Sequence, residues 1–146
     1  MGSLVEVVKD SAKRARVLDD CERLIESEVE DKGGLTGLAV KAAYKSVRSL
    51  RPDMIRASMD ALLDDFSMQV DPFWADCQAR AEVPRAYFVR RQNDVANALL
   101  HITDQRAERS QHKVLVKAYG GLRPKAVEHI GAAMPRFADL MQRHAR

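Results

Sequence analysis

The sequence predicts an all-α protein, a compact bundle of six or seven helices, and three observations carry that prediction. Nonpolar residues recur at steps of three, four and seven along almost the whole chain, the spacing that lines them up on one face of a helix. Five prolines and seven glycines in 146 residues leave few turns, so the elements between them are long. No stretch shows the β-branched alternation of a half-buried strand, and Val5 to Val8 is the one place where it could be argued.

The first helix carries Leu4, Val8, Ala15, Leu18, Cys21, Ile25 and Val29 on its apolar side until Gly33 and Gly34 break the pattern. It reads as one long element containing a weak point at most. Thr36 is placed to cap a second helix with Leu38, Ala42, Val47 and Leu50 inward, stopped by Arg51 and Pro52. Proline has no amide hydrogen to leave unpaired in a first turn, so Pro52 also opens the third helix. That helix has the cleanest stripe in the chain, Ile55, Met59, Leu62, Phe66 and Val70. Leu63, Met68 and Leu100 fall slightly off the stripes.

Asp71 and Pro72 pair a good cap with a good first-turn residue, which predicts a short helix over 72–81 carrying Phe73, Trp74, Cys77 and Ala81. Pro84 opens the next, with Phe88, Val95, Leu99 and Ile102 inward as far as Arg109. Ser110 is placed to cap a shorter helix with Val114, Leu115 and Ala118, ending at Gly120 and Gly121. The last helix starts at Pro124 with Val127, Ile130, Met134, Phe137 and Met141 inward, and Pro135 inside it should kink or divide it.

One passage occurs twice. Val40-Lys41-Ala42-Ala43-Tyr44 leads to Leu50-Arg51-Pro52, and Val116-Lys117-Ala118-Tyr119 leads to Leu122-Arg123-Pro124. Residues 1–146 thus read as a single domain with two pseudo-repeated three-helix units, 4–70 and 84–145, joined by the short helix 72–81. Duplication and independent use of the same proline corner account for the match equally well. Two copies are too few for a solenoid.

Apolar residues make up 46 % and charged residues 31 %, the composition of a folded chain. Cys21 and Cys77 form neither a disulfide framework nor a CxxC pair. The N-terminus reaches charge within six residues, and Glu6 stands where a myristoylation signal wants Ser or Thr. With no run of eighteen apolar residues, the expectation is a cytoplasmic protein without membrane association. The net charge of +3 hides a split: residues 1–73 hold 11 Lys and Arg against 14 Asp and Glu, residues 74–146 hold 13 against 7. Such a split serves attraction between halves, between molecules, or toward an anionic partner.

For chemistry the residues offer little. His101, Asp104, Glu108 and His112 fall on one side of an unbroken helix, but one helix supplies only two ligands to a metal, and a bundle site needs a facing helix. Glu22 with Glu26, or Glu128 with His129, would be the second contributors. A solvated stripe is the plainer reading, so no metal and no cofactor is expected. Glu22, Glu26 and Glu30 form an acidic row suited to docking on a basic face rather than to acid-base catalysis. Neither cysteine has a nucleophile's neighbourhood, and Gly33-Gly34-Leu35-Thr36-Gly37 lacks the ending of a P-loop. An enzyme is the less favoured reading.

Lys41, Lys45 and Arg48 make one side of the second helix positive, and Gly120-Gly121 stands where a helix-turn-helix has its turn. The helix after it begins Pro124-Lys125-Ala126-Val127, which offers few base-reading groups. Phe73 and Trp74 are the aromatic candidates for a contact surface, should Trp74 be exposed; a linker helix pinned to the core is the plainer alternative. No motif identifies a small-molecule ligand. The leading expectation is a non-enzymatic module that binds another protein or itself, through Phe73, Trp74, Lys41, Lys45 and Arg48. Nucleic-acid binding through the basic helices comes second, and metal binding third.

Overall fold

A computed structural model describes residues 2–145, and among them the fold is all-α, with no strand. The helices are α1 (Leu4–Val7), α2 (Ser11–Asp31), α3 (Gly34–Leu50), α4 (Met54–Ala79), α5 (Pro84–Arg90), α6 (Gln92–Arg109), α7 (Lys113–Leu122) and α8 (Ala126–His144), with a 3-10 turn at Arg123–Lys125. Leaving aside the single turn α1, that makes seven helices among the described residues. Among the described residues no helix is long and apolar enough to cross a membrane.

Several helix boundaries differ from the sequence expectation, and at Asp71 the cause is a side chain that serves a distant helix end. The expected first helix is two, because Asp10 turns extended and accepts from the Lys13 amide at 3.0 Å, capping α2. Asp71 does not open a new helix. Its carboxylate accepts from the Leu4 and Val5 amides at 2.7 and 2.9 Å, capping α1 from 66 and 67 residues away. The separate helix expected over 72–81 is therefore absent, and α4 runs unbroken through Pro72. Pro72 lies exposed on the helix surface, where water can meet the carbonyl its missing amide frees.

The turn at Arg91 separates α5 from α6, again dividing an expected single helix. Thr36 does not cap α3. Its cap is Gly33, three residues earlier, with Gly34 in the left-handed region at φ 68°. Ser110 ends α6 rather than opening α7, and His112 holds the capping position of α7. The paired glycines fail to stop α7, which continues to Leu122. Pro135 neither divides α8 nor ends it.

The packed core lies at one end of the bundle, among α1, α2, α4, α5, α6 and α8. Phe88 is its centre, edge-on to Tyr87 and Phe137 with ring centroids at 5.3 and 5.4 Å and stacked near Trp74 at 6.4 Å. Val17, Val70, Val95, Met134 and Met141 close around it. Each such fully buried side chain contributes about 1.5–3 kcal/mol. Leu63 and Leu100, off the stripes in sequence, are buried too, whereas Met68 is 63 % exposed.

Helix partners alternate between the two halves of the chain: α2 packs on α8, α4 on α6, and α3 on α7. The charge split follows the same seam. Arg136 on α8 pairs with Glu28 and with Asp31 (2.5 Å) on α2, Arg143 and His144 meet Asp20 at 3.2 and 2.6 Å, and Arg106 reaches Asp65 at 3.2 Å. The basic half thus answers Asp20, Glu28, Asp31 and Asp65 of the acidic half within one molecule. Solvent exposure keeps most such pairs near 0–1 kcal/mol each, so they orient the helices more than they hold them.

Candidate ligand-binding groove

At the end away from Phe88 the helices do not close. A groove of about 840 Å³ lies between α2, α3, α4, α6 and α7. The stripe of α4 that looked most like core divides here: Val70 belongs to the packed end, Met59 both packs against that core and lines the groove, and Ile55 and Leu62 line the groove. From α3 come Val40, Ala43, Tyr44 and Val47, not the expected Leu38, Ala42 and Leu50; Leu38 is 65 % exposed. Helix α7 adds Leu115, Ala118, Tyr119 and Leu122, and α2 adds Ile25 and Val29. Buried Val40 and Ile102 mark the floor. The exposed lining residues gather at the last turns of α6 and the link to α7, including Gln105, Arg106, Arg109, Ser110 and His112, with Ala61 of α4 facing them. They mark the mouth.

The wall of α3 and α7 is thin. Only Gly37 and Val40 are buried in α3, and no residue is buried in α7. One tie holds α7 to α6: the Tyr119 hydroxyl donates to Asp104, meets the Thr103 hydroxyl at 2.7 Å, and Arg123 donates to the same carboxylate at 2.9 and 3.1 Å. The Arg123 guanidinium first, then the Tyr119 hydroxyl, holds the Asp104 carboxyl below its usual range. Burial, then Asp104, pushes the Tyr119 phenol up.

Asp104 is therefore engaged with Arg123 and Tyr119. His101 faces Gln105 at 3.3 Å, and Glu108 and His112 are exposed. Among the described residues no three His, Cys, Asp or Glu side chains come together at metal-binding separation. Glu22 pairs with Arg56 at 3.2 Å and Glu28 with Arg136, while Glu26 and Glu30 remain exposed. Burial, helped by Asp20 and Glu22, pushes the Cys21 thiol up to about 12, and burial likewise raises that of Cys77. Both are poor nucleophiles as placed.

Trp74 is 3 % exposed and its indole N–H donates to the Ala145 carbonyl at 2.9 Å. Its ring belongs to the core, which removes it as a contact surface. Phe73 is half-buried beneath the Arg91 guanidinium, 5.2 Å from the ring centroid. Lys45 and Arg48 are exposed on α3 with Lys41 half-buried, and Arg48 sits 5.7 Å from the Tyr44 ring centroid. Sequence reasoning missed the groove itself. Its signal was the repeated passage, since Tyr44 and Tyr119, the aromatics of the two copies, both line it.

Fold and groove together define a helical bundle with a packed core at one end and an apolar hollow at the other. The chain matches the model of a family of unknown function, DUF6918, over residues 4–145, and belongs to that family. No curated protein and no solved structure matches it.

Proposed function

We propose that the protein is a non-enzymatic binding protein whose working part is the groove, and that its guest is a small molecule with an apolar body. The observation that carries this is the groove of about 840 Å³ walled by aliphatic side chains and two tyrosines. Ligand sites of about 300–1,000 Å³, mostly apolar with a few polar groups, are common between helices of bundles. The walls hold mostly apolar surface against water, an unfavourable exposure that an apolar guest would relieve. The repeated passage supports the same reading, because α3 and α7 are its two copies and pair to form the outer wall.

Nile red, a neutral dye whose emission shifts to the blue in apolar surroundings, tests it. Saturable binding of one dye per chain is expected, with the emission of Trp74 unchanged because Trp74 lies in the packed core at the other end. Emission no different from that of dye in buffer sinks the reading.

A second reading, association with another protein or a second copy, is favoured by Leu35 and Leu38, 86 % and 65 % exposed in the first turns of α3. A native mass of one chain that does not change with concentration removes the second copy, and an unchanged native mass for Leu35→Ser tests the role of that patch in any dimer.

A further inference from the structure

Resting on that reading of the groove, we propose that its guest is a long-chain carboxylate, the tail lying along the aliphatic floor and the anionic head at the link between α6 and α7. The mouth has a direction in charge. Of the ionic groups lining it, Asp65 is answered by Arg106 at 3.2 Å. Arg109 has no acidic partner within 4.0 Å among the described residues, and neither does His112. Lys113 is exposed at the first position of α7, and the first turn of α7 has no side-chain cap. Its unpaired amides and the positive end of the helix dipole favour an anion. Glu108 is the acid carried by the last turn of α6, and, like Lys113, it is exposed and is not part of the groove lining.

Inside, the demand is the opposite. The hydroxyl of Tyr119 is satisfied by Asp104 and Thr103, and among the described residues no fully buried side-chain polar atom lacks a partner. The Tyr44 and Ser58 hydroxyls also line the groove, but they are neutral, so a guest that buried a charged group there would lose its hydration with no opposite charge to replace it. The head therefore stays at the mouth, where Arg109 offers a planar fork of donors matched to a carboxylate. An amphiphile with one apolar chain and one negative end satisfies both halves of the site; a neutral or cationic head does not.

Three ligands with the same twelve-carbon chain separate the head from the tail: dodecanoate, dodecanol and dodecyltrimethylammonium, each titrated below its micelle concentration by calorimetry and by displacement of Nile red. Dodecanoate should bind at least about tenfold more tightly than the other two, and rising salt should narrow the gap. Arg109→Glu, an exposed substitution, should erase that preference at unchanged far-UV circular dichroism. Equal affinity for all three ligands overturns the head-group assignment and leaves the apolar groove standing. Binding of none of them, with no Nile red bound either, removes the groove reading as well. Dodecanoate bound without displacing Nile red places the carboxylate elsewhere and overturns the proposal, as does a dimer whose dissociation is required before any ligand binds. Binding of dodecanoic chains only as part of anionic vesicles, not as free monomer, also overturns it.

Discussion

Trp74 and Ala145 lie 71 residues apart, and the indole N–H of the first donates to the backbone carbonyl of the second at 2.9 Å in the core. The bond fastens the end of α8 to the C-terminal part of α4, and it makes the one tryptophan a reporter of the packed end. Trp74→Phe leaves that carbonyl without its donor, which costs about 1–3 kcal/mol. Urea unfolding should show a lower midpoint at unchanged slope, and an unchanged midpoint would mean that the bond contributes nothing net.

Gly37 and Gly120 make a matched pair. A Cβ on Gly37 would lie 2.7 Å from the backbone carbon and oxygen of Lys32, whereas one on Gly120 meets nothing within 4 Å. Gly37→Ala should therefore destabilise by about 1–3 kcal/mol, as overpacking against rigid backbone does. Gly120→Ala, inside α7, should stabilise by about 0.5–1 kcal/mol by restricting the unfolded chain. Thermal melts of the two variants should move in opposite directions.

Ala118 lines the groove from the thin wall of α7. Ala118→Met fills part of the hollow with a flexible apolar chain, so Nile red affinity should fall about tenfold, the equivalent of about 1.4 kcal/mol. The melting temperature should hold or rise. A variant that keeps its dye affinity would place the dye outside the groove.

Acid should weaken the fold in two stages. Burial, then Lys32, lowers the His129 pKa below 6.5, so the unfolded chain binds that proton first. Its contribution is complete above about 6.5 and is lost as pH falls through the lower folded value. The carboxyls of Asp104 and Asp139 are held low chiefly by Arg123 and Arg85, and that of Asp76 by the Tyr87 hydroxyl and then Arg80. They support the fold above about 3.8, and protonation removes that support as pH drops through their folded values. Urea midpoints measured from pH 8 to pH 3 should show a shallow decline below 6.5 that His129→Gln abolishes, then a steeper one below 4.

Much of the fold was legible because helical spacing is a local property. The stripes through Leu18, Val70, Phe88, Val95, Met134 and Met141 follow from steps of three and four, and those residues are buried, while Val17, fully buried beside Leu18, lies off the expected stripe. Caps were misplaced where a polar side chain serves a distant helix end: Asp71 looks like the start of its own helix and instead caps α1. Pro72 and Pro135 mislead for a related reason, since one lost hydrogen bond is outweighed by packing on both sides of the helix turn. The groove was not legible, because Ile55, Met59 and Leu62 carry the same spacing whether a neighbouring helix reaches them or stops short.

By itself the sequence determined that the chain is helical, that its nonpolar faces must be covered, and that its halves carry unlike charge. Periodicity and composition are properties of residues a few positions apart, and they do not depend on which helix arrives opposite. Only the tertiary structure decided that Phe88 and Trp74 share a filled core while Tyr44 and Tyr119 face a hollow. Packing is a matter of volume: α3 and α7 lean on each other, and the space they leave against α4 and α6 exceeds what their side chains fill.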